Sequence, residues 1–176
     1  MERSELAAGI YGVSHLTGTF TLRSGQVSNE YFDKYLFESD PVLLEAIAEH
    51  MVPLVPDGTE VLAGLEMGAI PVAAILSVKT GLPAVYVRKK AKEYGTCKLA
   101  EGTDVTGKKV CIIEDVVTTG GQIFLSTEDL RGLGATVEHV LCVIERNPAS
   151  HEKLGAAGLT LKPLFTMDEL KEHAAE

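Results

Sequence analysis

Apolar residues recur along this chain in two alternating patterns. Short runs rich in Val, Ile and Leu read as strands buried on both faces. Between them lie longer stretches whose apolar positions fall three and four apart, the helical period. Residues 3–14 place Leu6, Ile10 and Val13 on one face and predict a helix. Residues 18–22 and 30–37 predict two strands joined by a turn at Ser24-Gly25. Asp40 followed by Pro41 is a helix start, with Asp40 as cap and Pro41 at the first helical position, opening a helix over 42–54. Further strands are predicted at 60–65, 83–88, 110–115, 137–144 and 159–165. Helices are predicted at 69–80, ended by Gly81, and at 122–133, 150–157 and 167–176. Residues 90–106 carry charges and glycine without a period, and read as a long surface loop.

Strands alternating with helices predict an α/β fold, a mainly parallel sheet flanked by helices. Ligands of such sheets bind outside the carboxyl ends of the strands. A length of 176 residues suits one domain, 1–176, with no repeat or linker. Hydrophobic residues make up 45% and charged residues 23%, which is ordinary globular composition.

The formal net charge of −9 argues against nucleic acid or an anionic membrane as the main partner. An anionic substrate stays possible, because a local cation cluster can reverse the field inside one cleft. Cys97, Cys111 and Cys142 form no Cys-x-x-Cys, and the histidines show no metal-ligand spacing. The N-terminus is charged at once, and the longest apolar stretch, 69–78, contains Pro71 and is too short for a bilayer. A soluble, cytoplasmic protein is expected.

The chemistry concentrates after the run beginning at Val110. Glu114 and Asp115 stand where that strand should end, followed by Val116 and Val117, then Thr118-Thr119-Gly120-Gly121, then a helix opening at Gln122. Turn amides and a helix N-terminus attract phosphate. Paired carboxylates can accept hydrogen bonds from neighbouring sugar hydroxyls. No Gly-Lys-Ser/Thr follows the glycines, and no Gly-x-Gly-x-x-Gly exists, so neither a Walker loop nor a dinucleotide fingerprint is present. A second strand-to-helix turn, Glu66-Met67-Gly68-Ala69, is another anion site in principle, or simply a tight turn. Arg88, Lys89, Lys90 and Lys92 put four cations in five residues, which suits a polyanion or a solvated face.

The 110–122 stretch resembles the motif of the type I phosphoribosyltransferases, which use phosphoribosyl pyrophosphate (PRPP). Arg88-Lys89-x-x-Lys92-x-Tyr94-Gly95 with Glu101-Gly102, the segment 20–33, and Glu145-Arg146 narrow the resemblance to orotate phosphoribosyltransferase. That resemblance implies transfer of phosphoribose from PRPP to orotate, with Mg2+ as cofactor, and a small N-terminal hood of about residues 1–40. It implies that Arg88, Lys89 and Lys92 meet pyrophosphate, with Arg88 and Lys92 acting across a homodimer interface on a shared catalytic loop. It assigns Glu114 and Asp115 to the ribose, and Thr118, Thr119, Gly120 and Gly121 to the phosphate, with Thr118 also near the base, and counts Val116, Val117 and Gln122 among the substrate-binding positions. Tyr31, Phe32 and Arg146 fall in the orotate pocket, and Arg23 stands where a lysine is frequent. Lys92, Glu114 and Asp115 are the expected catalytic set. The chain departs from the family at Tyr94, where some members have histidine, and at Gly68, where some place a lysine. Taken alone, Tyr31-Phe32 could be strand packing, Arg146 a surface ion pair and Arg23 a solvated turn residue. The alternatives are a phosphoribosyltransferase for another purine or pyrimidine base, and a PRPP-sensing regulatory protein that binds nucleic acid.

Overall fold

The computed structural model describes residues 1–22, 24–93 and 98–174. Its elements in chain order are α1 (Arg3–Ser14), β1 (His15–Thr21), β2 (Val27–Phe32), α2 (Lys34–Glu38), α3 (Pro41–Met51), β3 (Val61–Leu65), α4 (Ala69–Thr80), β4 (Ala84–Val87), β5 (Ala100–Gly102), β6 (Lys109–Val117), α5 (Gly121–Gly132), β7 (Thr136–Glu145), α6 (Ala149–Ala156), β8 (Thr160–Thr166) and α7 (Met167–Ala174). A six-stranded sheet runs in the order β5-β4-β3-β6-β7-β8, and β1 pairs with β2 in a separate ribbon. Only β5 runs antiparallel to its neighbour in the large sheet; the pairings from β4 to β8 are parallel.

Each parallel strand is apolar on both sides because helices cover both faces. Every residue of β3 is buried, and its register sets Leu62 opposite Cys111 and Ala63 opposite Ile112. One face of the sheet packs Leu62, Ile113 and Phe165 against Ile10, Phe37, Ile47, Leu76 and Leu170 from the N-terminal helices, α4 and α7. The other face packs Ala63, Ile112 and Val140 against Ile123, Leu130 and Leu154 from α5 and α6. The parallel order brings the carboxyl ends of β3, β4, β6 and β7 to one edge.

The structure departs from the sequence reading in the extent of several elements, and Val13, expected on the apolar face of the first helix, is exposed. The strand expected over 30–37 stops at Phe32. Asp33 then caps α2, its carboxylate accepting from the Tyr35 N–H at 3.1 Å. A side-chain cap here outweighs the β propensity of Tyr35 and Phe37. The helix expected over 42–54 ends at Met51, and Val52–Leu54 tighten into a 3-10 turn at Pro53, which has no N–H to continue an α ladder. The 90–106 segment is not all loop. Its far end forms β5, with Val85 opposite Gly102 and Val87 opposite Ala100, before the Asp104 carboxylate caps a turn at Thr106. Tyr94 and Cys97 lie outside the described residues. The cap at Asp40 forms as expected, accepting from Val42 and Leu43. No helix among the described residues is long and apolar enough to cross a membrane.

Phe37 is fully buried and anchors α2 to the sheet face that also holds Phe165. Phe37→Ala should lower unfolding free energy by about 3–5 kcal/mol, read from urea denaturation. A change within about 0.5 kcal/mol, the range of surface substitutions, would place Phe37 outside the core.

Candidate active site

The site is built on the carboxyl end of β6. That strand runs two residues beyond the acid pair, to Val117 opposite Glu145, so Glu114 and Asp115 lie within the ladder rather than at its end. Asp115 is 1% exposed and Glu114 is half-buried. The Glu114 carboxylate accepts from the Asp115 N–H at 3.0 Å, and Asp115 Oδ1 accepts from the Val116 N–H. Asp115 Oδ2 is held by the ammonium of Lys34 at 2.5 Å.

Past Val117 the chain bends through exposed Thr118 and Thr119 into Gly120, which has φ of 72°. A side chain at Gly120 would be strained there and would press on Leu154 of α6. α5 starts at once, so the N–H groups of its first turn stand at the mouth of this bend without helical acceptors. Gln122, in that turn, donates to Ser126 Oγ. Bend, amides and helix end lie together at the position where the sequence suggests an anion cradle.

Beside it lies the turn after β3. The Lys89 N–H donates to Glu66 Oε1 at 2.7 Å, which ties the cation-bearing segment to this turn. Arg88 and Lys92 both face Glu101 of β5, at 3.5 and 2.5 Å. Lys92, with Arg88 behind it, holds the Glu101 carboxyl below its usual range. A cavity of 250 Å3 opens among Glu66, Arg88 and Glu101. Gly68 meets the acid pair directly: a Cβ there would collide with Asp115 Oδ2 and stand 2.6 and 2.8 Å from the Glu38 carboxylate oxygens.

On the other side of β6 a cavity of 140 Å3 is lined by Tyr11, His15, Glu30, Phe32, Arg146 and Lys171, among others. Tyr31 also borders it and pairs with Phe20 at 5.6 Å between ring centroids. The Arg146 N–H donates to Val117 O at 2.8 Å, which fixes this cation to the end of the acid-bearing strand. Behind Arg146, the buried Glu145 carboxylate accepts from Ser150 and meets His151 at the start of α6. Arg23 lies outside the described residues. The other expected positions form three neighbouring groups: Tyr31, Phe32 and Arg146; Glu114 through Gln122; and Arg88, Lys89 and Lys92.

Residues 43–157 match the phosphoribosyl transferase domain. An orotate phosphoribosyltransferase of Nocardioides sp. is 58% identical over 165 residues, covering 94% of this chain and 92% of that protein. The crystal structure of Mycobacterium tuberculosis orotate phosphoribosyltransferase with inorganic phosphate aligns with a TM-score of 0.86 at 30% identity, over 96% of this chain and 98% of that one. The chain belongs to the orotate phosphoribosyltransferases. The same Mycobacterium enzyme in complex with PRPP aligns with a TM-score of 0.82 at 29% identity, over 96% of this chain and 98% of that one. The α/β reading, with a mainly parallel sheet between helices, is that of this enzyme family.

Sequence reasoning missed Lys34 and Glu38 on the acid side, and Tyr11, His15, Glu30 and Lys171 on the aromatic side. His15 Nε2 and Glu30 Oε2 stand 2.8 Å apart, and Tyr11 stacks on the His15 ring at 4.7 Å. The one available signal for Lys34 and Glu38 was the cap at Asp33. Read as strand, residues 30–37 give no reason to place either side chain near Asp115.

Glu38 is buried, and its Oε1 has no hydrogen-bond donor. Burial, then the Asp115 charge, push its carboxyl from 4.5 up to about 8, against an opposing pull from Lys34. Glu114 is raised as well, by burial and then by Asp115. The Lys34 ammonium is also raised, because its bond and charge pairing with Asp115 exceed the cost of its burial. Between pH 4.5 and about 8 the folded chain therefore holds more proton at Glu38 than the unfolded chain does. Stability from this group is present at low pH and is lost as pH rises through about 8. Glu38→Gln should remove that loss. Its melting temperature should gain on the parent between pH 6 and 9, and parallel melting curves across that range would show that Glu38 does not titrate there.

Proposed function

We propose that this enzyme transfers the phosphoribosyl group of PRPP to a ring nitrogen of orotate, giving orotidine 5′-monophosphate and pyrophosphate. One observation carries the reading: the acid pair, the phosphate bend and Arg146 are joined within a single strand end, through the 2.8 Å bond from Arg146 to Val117. A sugar phosphate gripped by the first two groups would present its anomeric carbon toward the third.

In this reading Glu114 and Asp115 accept the ribose hydroxyls, and residues 118–121, with the first turn of α5, bind the 5′-phosphate. Tyr31 and Phe32 give an apolar wall for the planar ring. Arg146 supplies a planar donor for the orotate oxygens, and Arg23 is assigned a similar part. The bond from the anomeric carbon to pyrophosphate breaks as the bond to nitrogen forms, leaving the electron pair on pyrophosphate. Lys89, Lys92 and Arg88 receive that charge. Positioning and charge stabilisation account for the catalysis, without a covalent enzyme intermediate.

Asp115 is already engaged by Lys34 and by backbone, and the acid pair suits hydroxyl donors. Magnesium is therefore assigned to the substrate, carried by PRPP oxygens and water, where it offsets pyrophosphate charge. Arg88 and Lys92 rest on Glu101 of their own chain and are proposed to leave it for pyrophosphate across a homodimer interface. Closure of the 90–106 segment would exclude water from the activated sugar. The domain is taken as 1–176, with the hood in about 1–40, acting in the cytoplasm.

Incubation of the enzyme with PRPP, magnesium and each of orotate, uracil, adenine and hypoxanthine should yield nucleotide with orotate alone. Turnover of another base in preference to orotate would discard the assignment and keep the scaffold. A protein that binds PRPP and turns over none of the bases would be a sensor instead. Lys92→Ala should lower turnover by well over ~10-fold, about 1.4 kcal/mol of transition-state stabilisation. A rate near that of the parent would take Lys92 out of the machinery.

A further inference from the structure

Three carboxylates, Glu38, Glu114 and Asp115, gather where β6 meets the turn after β3. The ammonium in contact with them is Lys34, which comes from α2 of the hood rather than from the sheet. Gly68 is the residue of that turn nearest the acids, and the space a side chain would need is already filled by Asp115 and Glu38. A cation on the turn itself is thus sterically excluded at this position, and a cation is nevertheless present, delivered across the cleft. The ammonium lies beside the turn after β3, the second candidate anion site. Its side chain is one-third exposed, so it can move without disrupting the core.

Ribose hydroxyls and Lys34 compete for one acceptor. Asp115 Oδ1 is taken by the Val116 N–H, and Oδ2 is taken by Lys34. A sugar docking on Asp115 must displace the ammonium from Oδ2 or share that oxygen with it. Either way a positive charge is left beside the anomeric carbon, where the leaving group acquires negative charge. Resting on PRPP use as proposed above, we propose that Lys34 is a further substrate-binding cation of this reaction, guarding Asp115 in the free enzyme and passing to the pyrophosphate oxygens when ribose hydroxyls take over that carboxylate. The hood would then sense the sugar phosphate as well as the base.

The test compares Lys34→Gln and Lys34→Arg with the parent enzyme in steady-state assays with magnesium, PRPP and orotate. Glutamine keeps a hydrogen-bond donor for Asp115 and removes the charge, so it separates charge from packing. Lys34→Gln should lower kcat/KM for PRPP at least ~10-fold with little change in the KM for orotate, and Lys34→Arg should recover part of the loss. Parent-like kinetics in Lys34→Gln would overturn the proposal, as would equal losses toward both substrates. Failure of both variants to fold, judged by circular dichroism, would make Lys34 a structural residue and overturn it too. A parent enzyme inactive with orotate and PRPP would instead overturn the proposed function, a separate result.

Discussion

Negative charge crowded at the end of one buried strand is the constraint around which this protein is arranged. Asp115 is almost fully buried, Glu114 adjoins it in sequence, and Glu38 faces it from α2. Such a group of carboxylates is costly in a low-dielectric setting unless protons or cations answer it. Here both do. Burial favours the protonated form of Glu38 and Glu114, and Lys34 pairs with Asp115. The glycine at 68 follows from the same crowding, because the carboxylates occupy the volume of its missing side chain.

That arrangement also explains how the N-terminal part of the chain is held. The β1-β2 ribbon is a two-stranded sheet, which on its own would be marginal in water. It is fixed by α1 and α2, which bury Leu6, Ile10 and Phe37 in the core shared with Phe165 and Leu170. Apolar packing supplies the anchorage, and the polar contact from Lys34 sets where the short helix meets the sheet edge. Residues that border the aromatic cavity, among them His15, Glu30 and Phe32, are thereby held opposite Arg146.

Much of this was legible in the sequence, and the reasons are local. β3, β6 and β7 each hold an apolar run of four or more residues, and β8 alternates at its start before Leu164-Phe165, so the hydrophobic pattern locates them. The phosphate bend is a linear motif, whose acids, hydroxyls and glycines act within a few residues of one another. Residues 30–37 read as one strand because their aromatic residues favour β structure, and beyond Phe32 one carboxylate, at Asp33, reverses that preference by capping α2. β5 was missed because three residues with a glycine carry no periodic signal; its pairing with β4 is a tertiary event. Lys34 and Glu38 reach Asp115, and Lys171 reaches the aromatic cavity, from elements distant in sequence, so no spacing rule could have joined them to Asp115 or Arg146.

α6 has a quieter role than the loops around it. Leu154 on one side of this helix bears on Gly120, while Ser150 and His151 at its start hold Glu145, the neighbour of Arg146. A single two-turn helix thus stands behind both the bend at Gly120 and the strand end that carries Arg146. The ends of β6 and β7 share this one brace. A substitution that loosens α6 would reach Gly120 and the neighbour of Arg146 together.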